Sequence, residues 1–367
     1  VFVILHNMTN KKWHVIGLMS GTSLDGVDLA YVKFTFDQAY DFVILEKESI
    51  KYSELWKKKL QDAFSFSGEK LTKLSADYGK FLGELVLDFI GKYDIKNPDF
   101  VASHGHTIFH RPEQGYTLQI GNGASLSAVS GCKVICDFRT QDIALGGQGA
   151  PLVPIGDQLL FQDYDFCLNL GGFANISYQK NGQRLAFDIG PANIVLNHYT
   201  RQIGLEYDDK GMMASGGNLH KGLLKALDAL PFYTLKQPKS LGYEFVVETI
   251  LPLIDRFGLK AEDILRTFTE HIAGQIAMVI NRVALSGKKT DQKTLVTGGG
   301  AFNDFLIQRI AAFSASEMVI PSDEIIEFKE SLIFAFLGLL RDRNEMNCLS
   351  SVTGASKDHC SGIIYNV

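Results

Sequence analysis

Asp188 sits in Phe187-Asp-Ile-Gly-Pro-Ala-Asn193, where an apolar run ends and the chain turns on Gly190 and Pro191. Strand ends before such turns are where α/β folds present catalytic carboxylates. A general base must be a carboxylate near a cleft with little else to pair with, and Asp188 meets the local part of that requirement; helix capping or turn formation is the competing use. Two glycine turns carry a second kind of chemistry. Gly17-Leu-Met-Ser-Gly-Thr-Ser-Leu-Asp-Gly26 and Asn169-Leu-Gly-Gly-Phe-Ala-Asn175 each set Ser, Thr, Asn or Asp beside closely spaced backbone N–H groups, an arrangement that can hold phosphate oxygens. Gly298-Gly-Gly300 adds a turn from a strand into a helix that Asn303 or Asp304 can cap. One such turn is only a turn, but three together point to a phosphate-bearing ligand. Asp25, in the first tip, is the natural contact for Mg²⁺, directly or through water, because that ion takes one or two carboxylates plus phosphate oxygens. Its competing role is to shape the turn.

Asp137-Phe-Arg139 and Asp142 precede Ala144-Leu-Gly-Gly-Gln-Gly-Ala-Pro-Leu-Val-Pro154, a stretch too irregular for a regular element and too apolar for disorder. Arg139 can grip a carboxylate or phosphate in two-point fashion, or form a structural ion pair with Asp137 or Asp142. His104, His106 and His110 have the look of metal ligands, but no nearby acid or cysteine completes a site, so substrate contact or core hydrogen bonding is the reading.

The elements that must position these residues follow from periodicity. Alternation over Val27–Phe34 after an apolar run ending at Leu18 gives a hairpin with a polar tip. Phe166–Leu170, Phe173–Tyr178 and a third strand at Arg184–Phe187 repeat that arrangement about 140 residues later, well beyond the length of a single hairpin connection. Helical spacing of Leu71, Leu74, Tyr78, Phe81, Leu82, Leu85 and Phe89 leads into a short buried strand at Asp99–Ser103. Later, helices over Phe268–Leu285 and Lys329–Arg343 flank a strand at Thr294–Thr297. The residues before Trp13 lack periodicity and read as a frayed arm.

The 367 residues suit two domains with self-supporting cores. The net charge of −5 and the lack of a long basic run argue against nucleic acid or an anionic membrane as partner. No segment reads as a signal peptide or membrane span, Ile333–Leu340 being too short. Five cysteines without paired spacing read as free thiols of a cytoplasmic protein.

Gly17–Asp28, Ser103-His-Gly-His-Thr107, Asp137-Phe-Arg139, Gly146–Pro154, Asn169–Ile176, Thr297-Gly-Gly-Gly-Ala-Phe-Asn303 and Val352-Thr-Gly-Ala355 together closely resemble the anhydro-N-acetylmuramic acid kinase family, in order from about Trp13 to Ile364. The resemblance implies an α/β, two-domain actin-like ATPase fold, with ribonuclease-H-like cores and ATP in an interdomain cleft. The expected division is 1–133 plus 331–367 for one domain and 134–330 for the other. It implies Mg²⁺, a small sugar substrate, a homodimer, and a reaction in which water opens the 1,6-anhydro ring while O6 takes the γ-phosphate of ATP. Asp188 becomes the base. Gly21, Thr22, Ser23, Leu24, Asp25, Gly26 and Asp28, with Gly171, Gly172, Asn175, Gly298, Gly299, Gly300 and Asn303, become nucleotide residues. His104, Thr107, Arg139, Gly190, Asn193 and Glu330 become sugar residues, with a solvated charge at a helix N-terminus as the competing reading of Glu330.

The chain departs from the family pattern at Ile189, Ala192 and Asn197, near Ile155–Asp157, and at Leu241 and Tyr243 in Lys239-Ser-Leu-Gly-Tyr-Glu244. These changes leave open a kinase of another sugar on the same fold. A non-catalytic nucleotide switch, which would have no need of Asp188, is the third class.

Overall fold

A computed structural model describes residues 11–21, 24–236, 239–284 and 291–367. Thr22, Ser23 and Leu285 lie outside the described residues, as does the expected arm apart from Lys11 and Lys12, which begin the first strand. The chain forms two compact units, 1–160 with 328–367, and 161–327.

In the first unit β1 (Lys11–Met19), β2 (Gly26–Asp37) and β3 (Ala39–Lys51) form an antiparallel meander. β4 (Phe100–Ser103) pairs with β1 in parallel, β5 (His106–Arg111) and β6 (Tyr116–Ile120) form a separate hairpin, and β7 (Val134–Cys136) pairs in parallel with β4. The expected boundary at 133/134 therefore moves to 160/161, because β7 is hydrogen-bonded into the first sheet.

β1 is central and apolar on both faces, as its position between β2 and β4 requires. Ile16 and Leu18 join the cluster of Tyr78, Leu82, Val86 and Phe89 from the Gly68–Lys92 helix. That helix starts where the Ser67 side chain accepts the Lys70 N–H. On the opposite face a Cβ at Gly17 would run into the Ser331 carbonyl, so glycine lets the Asp323–Asp342 helix lie directly on β1.

The second unit repeats the plan. β8 (Phe166–Leu170), β9 (Phe173–Lys180) and β10 (Gln183–Pro191) form an antiparallel meander; β11 (Lys293–Thr297) joins β8 in parallel, and β12 (Glu317–Val319) joins β11. Its order is β10-β9-β8-β11-β12; in the first sheet, closed by β13 (Ile363–Tyr365), β3-β2-β1-β4-β7 is the same sequence of strand roles. The Ala261–Ala284 helix packs Phe268, Ile272, Ile276 and Ile280 into the core of this unit. Asn303, rather than Asp304, caps the Asp304–Phe313 helix through a bond from Leu306 N–H at 2.9 Å.

Candidate functional site

In the second unit, strand register sets four polar residues side by side: Thr297 opposite Asn169, Asn169 opposite Asn175, and Asn175 opposite Asp188. Paired residues in register share a face of the sheet, so this row lies beside the Gly171-Gly172 and Gly298–Gly300 turns. Asp188 stands where an irregularity between Asp188 and Gly190 interrupts the ladder. Its N–H donates to the Lys239 carbonyl at 2.9 Å, and its Oδ2 accepts Leu241 N–H at 2.9 Å. Burial raises its pKa above the ordinary carboxylate value, with the Leu241 bond opposing.

Gly298 has φ 80°, and a Cβ there would come within 2.9 Å of the Leu170 carbonyl, so this turn can ride on the end of β8 only as glycine. Asn193 and Asn303 play different parts from those expected of ligand contacts. Asn193 begins the Asn193–Gln202 helix and gives its Nδ2 to the Leu170 carbonyl at 3.0 Å, while the Gly171 and Gly172 carbonyls accept N–H groups of residues 192–194. It is a strut between the glycine turn and the helix. Asn303 is buried and spends its side-chain oxygen on the cap. Asn175 and Gly190 lie next to Asp188.

In the first unit Gly21, Leu24, Asp25 and Gly26 form the turn between β1 and β2, and Leu24 holds φ 61°. Asp25 is exposed. Asp28 takes a 2.5 Å bond from Ser49 Oγ; burial raises its pKa, and the Asp25 charge adds to the rise. Beneath the turn, Ser20 Oγ lies 3.0 Å from His106 Nδ1 and 2.6 Å from Tyr52 OH, which in turn lies 2.5 Å from Tyr78 OH. Burial lowers the His106 pKa to about 4, so the ring is neutral at pH 7. The apolar spacing that marked Tyr78 as core gave no sign of this network.

Arg139 donates through Nε to His104 Nε2 at 2.9 Å and through Nη1 to the Gly149 carbonyl at 2.7 Å. Among the described residues it forms no ion pair with Asp137 or Asp142. Burial brings its pKa down to about 10, and the nearby Glu330 charge opposes that. His104 was expected at the sugar, but it is buried and uses both nitrogens within the protein, Nδ1 on the Gly105 carbonyl at 2.9 Å and Nε2 on Arg139. It holds the guanidinium. Thr107 Oγ1 accepts from Gln119 Nε2 within the β5–β6 hairpin, and His110 pairs with Thr117.

Glu330 lies two turns inside the Asp323–Asp342 helix, which removes the helix-terminus reading. Its side chain reaches solvent, yet the protein mass around it raises its pKa, with Arg139 opposing and Asp28 adding. Next to Glu330, Lys329 Nζ meets Asp157 Oδ1 at 2.7 Å, both buried. Asp142 accepts Gly149 N–H and Thr353 Oγ1–H, each at 2.7 Å, and so ties the loop after Arg139 to the Val352–Ala355 motif.

Two of the departures from the family pattern adjoin Asp188, Ile189 following it in β10 and Leu241 donating to it. Ile189 and Ala192 are core side chains, Tyr243 is exposed, and Leu241 serves Asp188 through its backbone.

Two units that repeat one strand order, each with a glycine turn between its first two strands, define the actin and sugar-kinase class of phosphotransferase folds. The sequence profile of the anhydro-N-acetylmuramic acid kinase family matches residues 13–367, and the chain belongs to that family. It is 36% identical to the anhydro-N-acetylmuramic acid kinase of Shewanella sp. strain MR-7, over 96% of this chain and 98% of that one. It is 34% identical to that of Mannheimia succiniciproducens, over 96% and 99%. Among solved structures it is similar to a ROK hexokinase from Thermus thermophilus, with TM-score 0.38 and 12% identity over 90% of this chain and 99% of the other.

Proposed function

We propose that this enzyme hydrolyses the 1,6-anhydro bond of anhydro-N-acetylmuramic acid and transfers the γ-phosphate of ATP to O6, giving N-acetylmuramic acid 6-phosphate and ADP. The observation that carries the reading is Asp188 itself. Its Oδ2 is fixed by a backbone N–H, its Oδ1 has no hydrogen-bond partner among the described residues, and burial makes it a stronger base than a solvated carboxylate. Oδ1 takes a proton from water as the water oxygen bonds to C1. The C1–O6 bond breaks, its electron pair stays on O6, and O6 attacks the γ-phosphorus as ADP leaves. Water supplies the C1 hydroxyl and ATP supplies the phosphoryl group, so the atoms balance.

Arg139 and Glu330 supply the sugar contacts in this reading. The guanidinium is preorganised by His104 and Gly149, through Nε and Nη1. Each glycine turn offers backbone N–H groups of the kind that take phosphate oxygens. Asp25 and Asp28 are hard oxygen donors at the β1–β2 turn and the start of β2, and the Asp25 charge reaches Asp28, which supports this turn as the place for Mg²⁺. Bound there, Mg²⁺ would neutralise phosphate charge. A cytoplasmic homodimer completes the proposal, supported by five cysteines outside any disulfide for the compartment and by the family resemblance for the dimer.

The test is Asp188→Asn assayed for ADP release with ATP and the anhydro sugar. It keeps size and turn preference but removes the basic lone pair, so kcat falls by about 10²–10⁴ with ATP binding nearly intact. A folded variant with turnover within about threefold of wild type rejects the base assignment.

A further inference from the structure

We infer that Tyr233, locked by a His271–Asp228 pair, is a positioning residue for Asp188; the inference rests on the reading of Asp188 as base. Both backbone partners of Asp188 come from the short segment that begins at Lys239: the Lys239 carbonyl and the Leu241 N–H. That segment is held by its own lysine. Lys239 Nζ donates to the Phe232 carbonyl at 2.9 Å and lies 4.0 Å from the Phe232 ring centroid and 5.6 Å from that of Tyr233. The other side of Asp188 rests on the same aromatic pair. A Cβ at Gly190 would lie 3.1 Å from the Tyr233 hydroxyl and ring edge, so the ring packs directly on the turn that follows Asp188.

Tyr233 is fixed in turn. Its hydroxyl lies 2.8 Å from His271 Nε2, and His271 Nδ1 lies 2.6 Å from Asp228 Oδ1, which also accepts Gln275 Nε2 at 3.0 Å. An aspartate accepts only, so Nδ1 carries a proton toward Asp228 while Nε2 pairs with the phenol hydroxyl. Burial keeps that phenol protonated. His271 is 1% exposed and sits within the Ala261–Ala284 helix, a rigid element packed on the sheet, so the array transmits the position of the helix to both supports of Asp188. Ordinary core packing needs only an apolar ring at 233. A buried histidine tied to an aspartate at the surface is worth its desolvation cost where a ring must be held in one place.

The experiment is a double-mutant cycle on kcat, with Tyr233→Ala and Tyr233→Phe each made in the wild-type and the Asp188→Asn backgrounds and assayed well below the melting temperature. In the wild-type background Tyr233→Ala lowers kcat by about 10²-fold, the scale of a misplacement near 1 Å, while the KM for ATP stays within about twofold. Tyr233→Phe, which keeps the ring and loses the anchor, lowers kcat by about 3–10-fold. In the Asp188→Asn background neither substitution lowers the residual turnover further, because there is no base left to position. Equal fractional losses in both backgrounds overturn the inference, as does an unchanged kcat in either single variant. If Tyr233→Ala does not fold, Tyr233→Phe decides alone. If Asp188→Asn collapses turnover while the Tyr233 variants do not, the base reading stands and the positioning role falls. If Asp188→Asn leaves turnover intact, both fall.

Discussion

Arg139 donates a hydrogen bond through Nε–H to His104 Nε2 at 2.9 Å, and His104 faces the other way with Nδ1 on the Gly105 carbonyl at 2.9 Å. The histidine is therefore neutral and buried, and it acts as an acceptor for a guanidinium; burial and the Arg139 charge both hold its pKa well below the ordinary value. A lysine at 139 keeps the charge but cannot reach His104 and Gly149 in the same fork. Arg139→Lys should raise the KM for the sugar by about 10- to 100-fold, the value of a charge-assisted hydrogen bond, with the KM for ATP unchanged. His104→Ala should raise the same constant through loss of the anchor. If only the melting temperature falls in both variants, Arg139 is structural.

His106 makes stability depend on pH. Its folded pKa, near 4, lies below the unfolded value near 6.5, so the unfolded chain binds the extra proton first. The stabilisation is fully present above about pH 6.5 and is lost as pH falls toward 4, by about 3 kcal/mol over the window. Urea unfolding at pH 7 and pH 4.5 should show this loss in the wild type and a smaller one in His106→Gln. Equal losses in the two proteins would place the sensitivity elsewhere.

Asp25→Asn should raise the Mg²⁺ concentration needed for half-maximal turnover and slow phosphoryl transfer, while sugar affinity measured by calorimetry holds. Unchanged Mg·ATP affinity with turnover near wild type would remove Asp25 from the mechanism.

Because burial raises the pKa of Asp188, the acid limb of kcat/KM should turn over above the ordinary aspartate value of about 3.9. The residual activity of Asp188→Asn should lack that limb. A limb that persists in the variant belongs to another group.

Much of this was legible in the chain. The hairpins stood out because β1 and β8 are apolar runs and β2 and β9 open on alternating buried residues, and the Gly68–Lys92 helix because its buried residues keep a helical period. β3 did not stand out, since an edge strand with Asp41, Glu46, Glu48 and Lys51 carries little apolar alternation. Asp188 was marked by its strand end, but its partners Lys239 and Leu241 act through backbone atoms, which residue type does not reveal. The resemblance gave His104 to the sugar, and its bond to Arg139, 35 positions away, has no mark in the sequence. Asp228, Tyr233 and His271 left no mark for the same reason, 38 residues separating the tyrosine from its histidine and 43 the aspartate. Groups joined only by tertiary packing have no spacing to read.

The central claim is that water, not a sugar hydroxyl, enters at the anomeric carbon. The most direct measurement is mass spectrometry of the sugar phosphate formed from ATP and 1,6-anhydro-N-acetylmuramic acid in ¹⁸O-enriched water, with fragmentation to locate the label. The account predicts one solvent oxygen at C1 and none at O6, which keeps its bridging oxygen and gains the phosphoryl group. A phosphorylated product with no solvent oxygen at C1, or with the anhydro ring still closed, would contradict it and leave an ordinary hydroxyl kinase in its place.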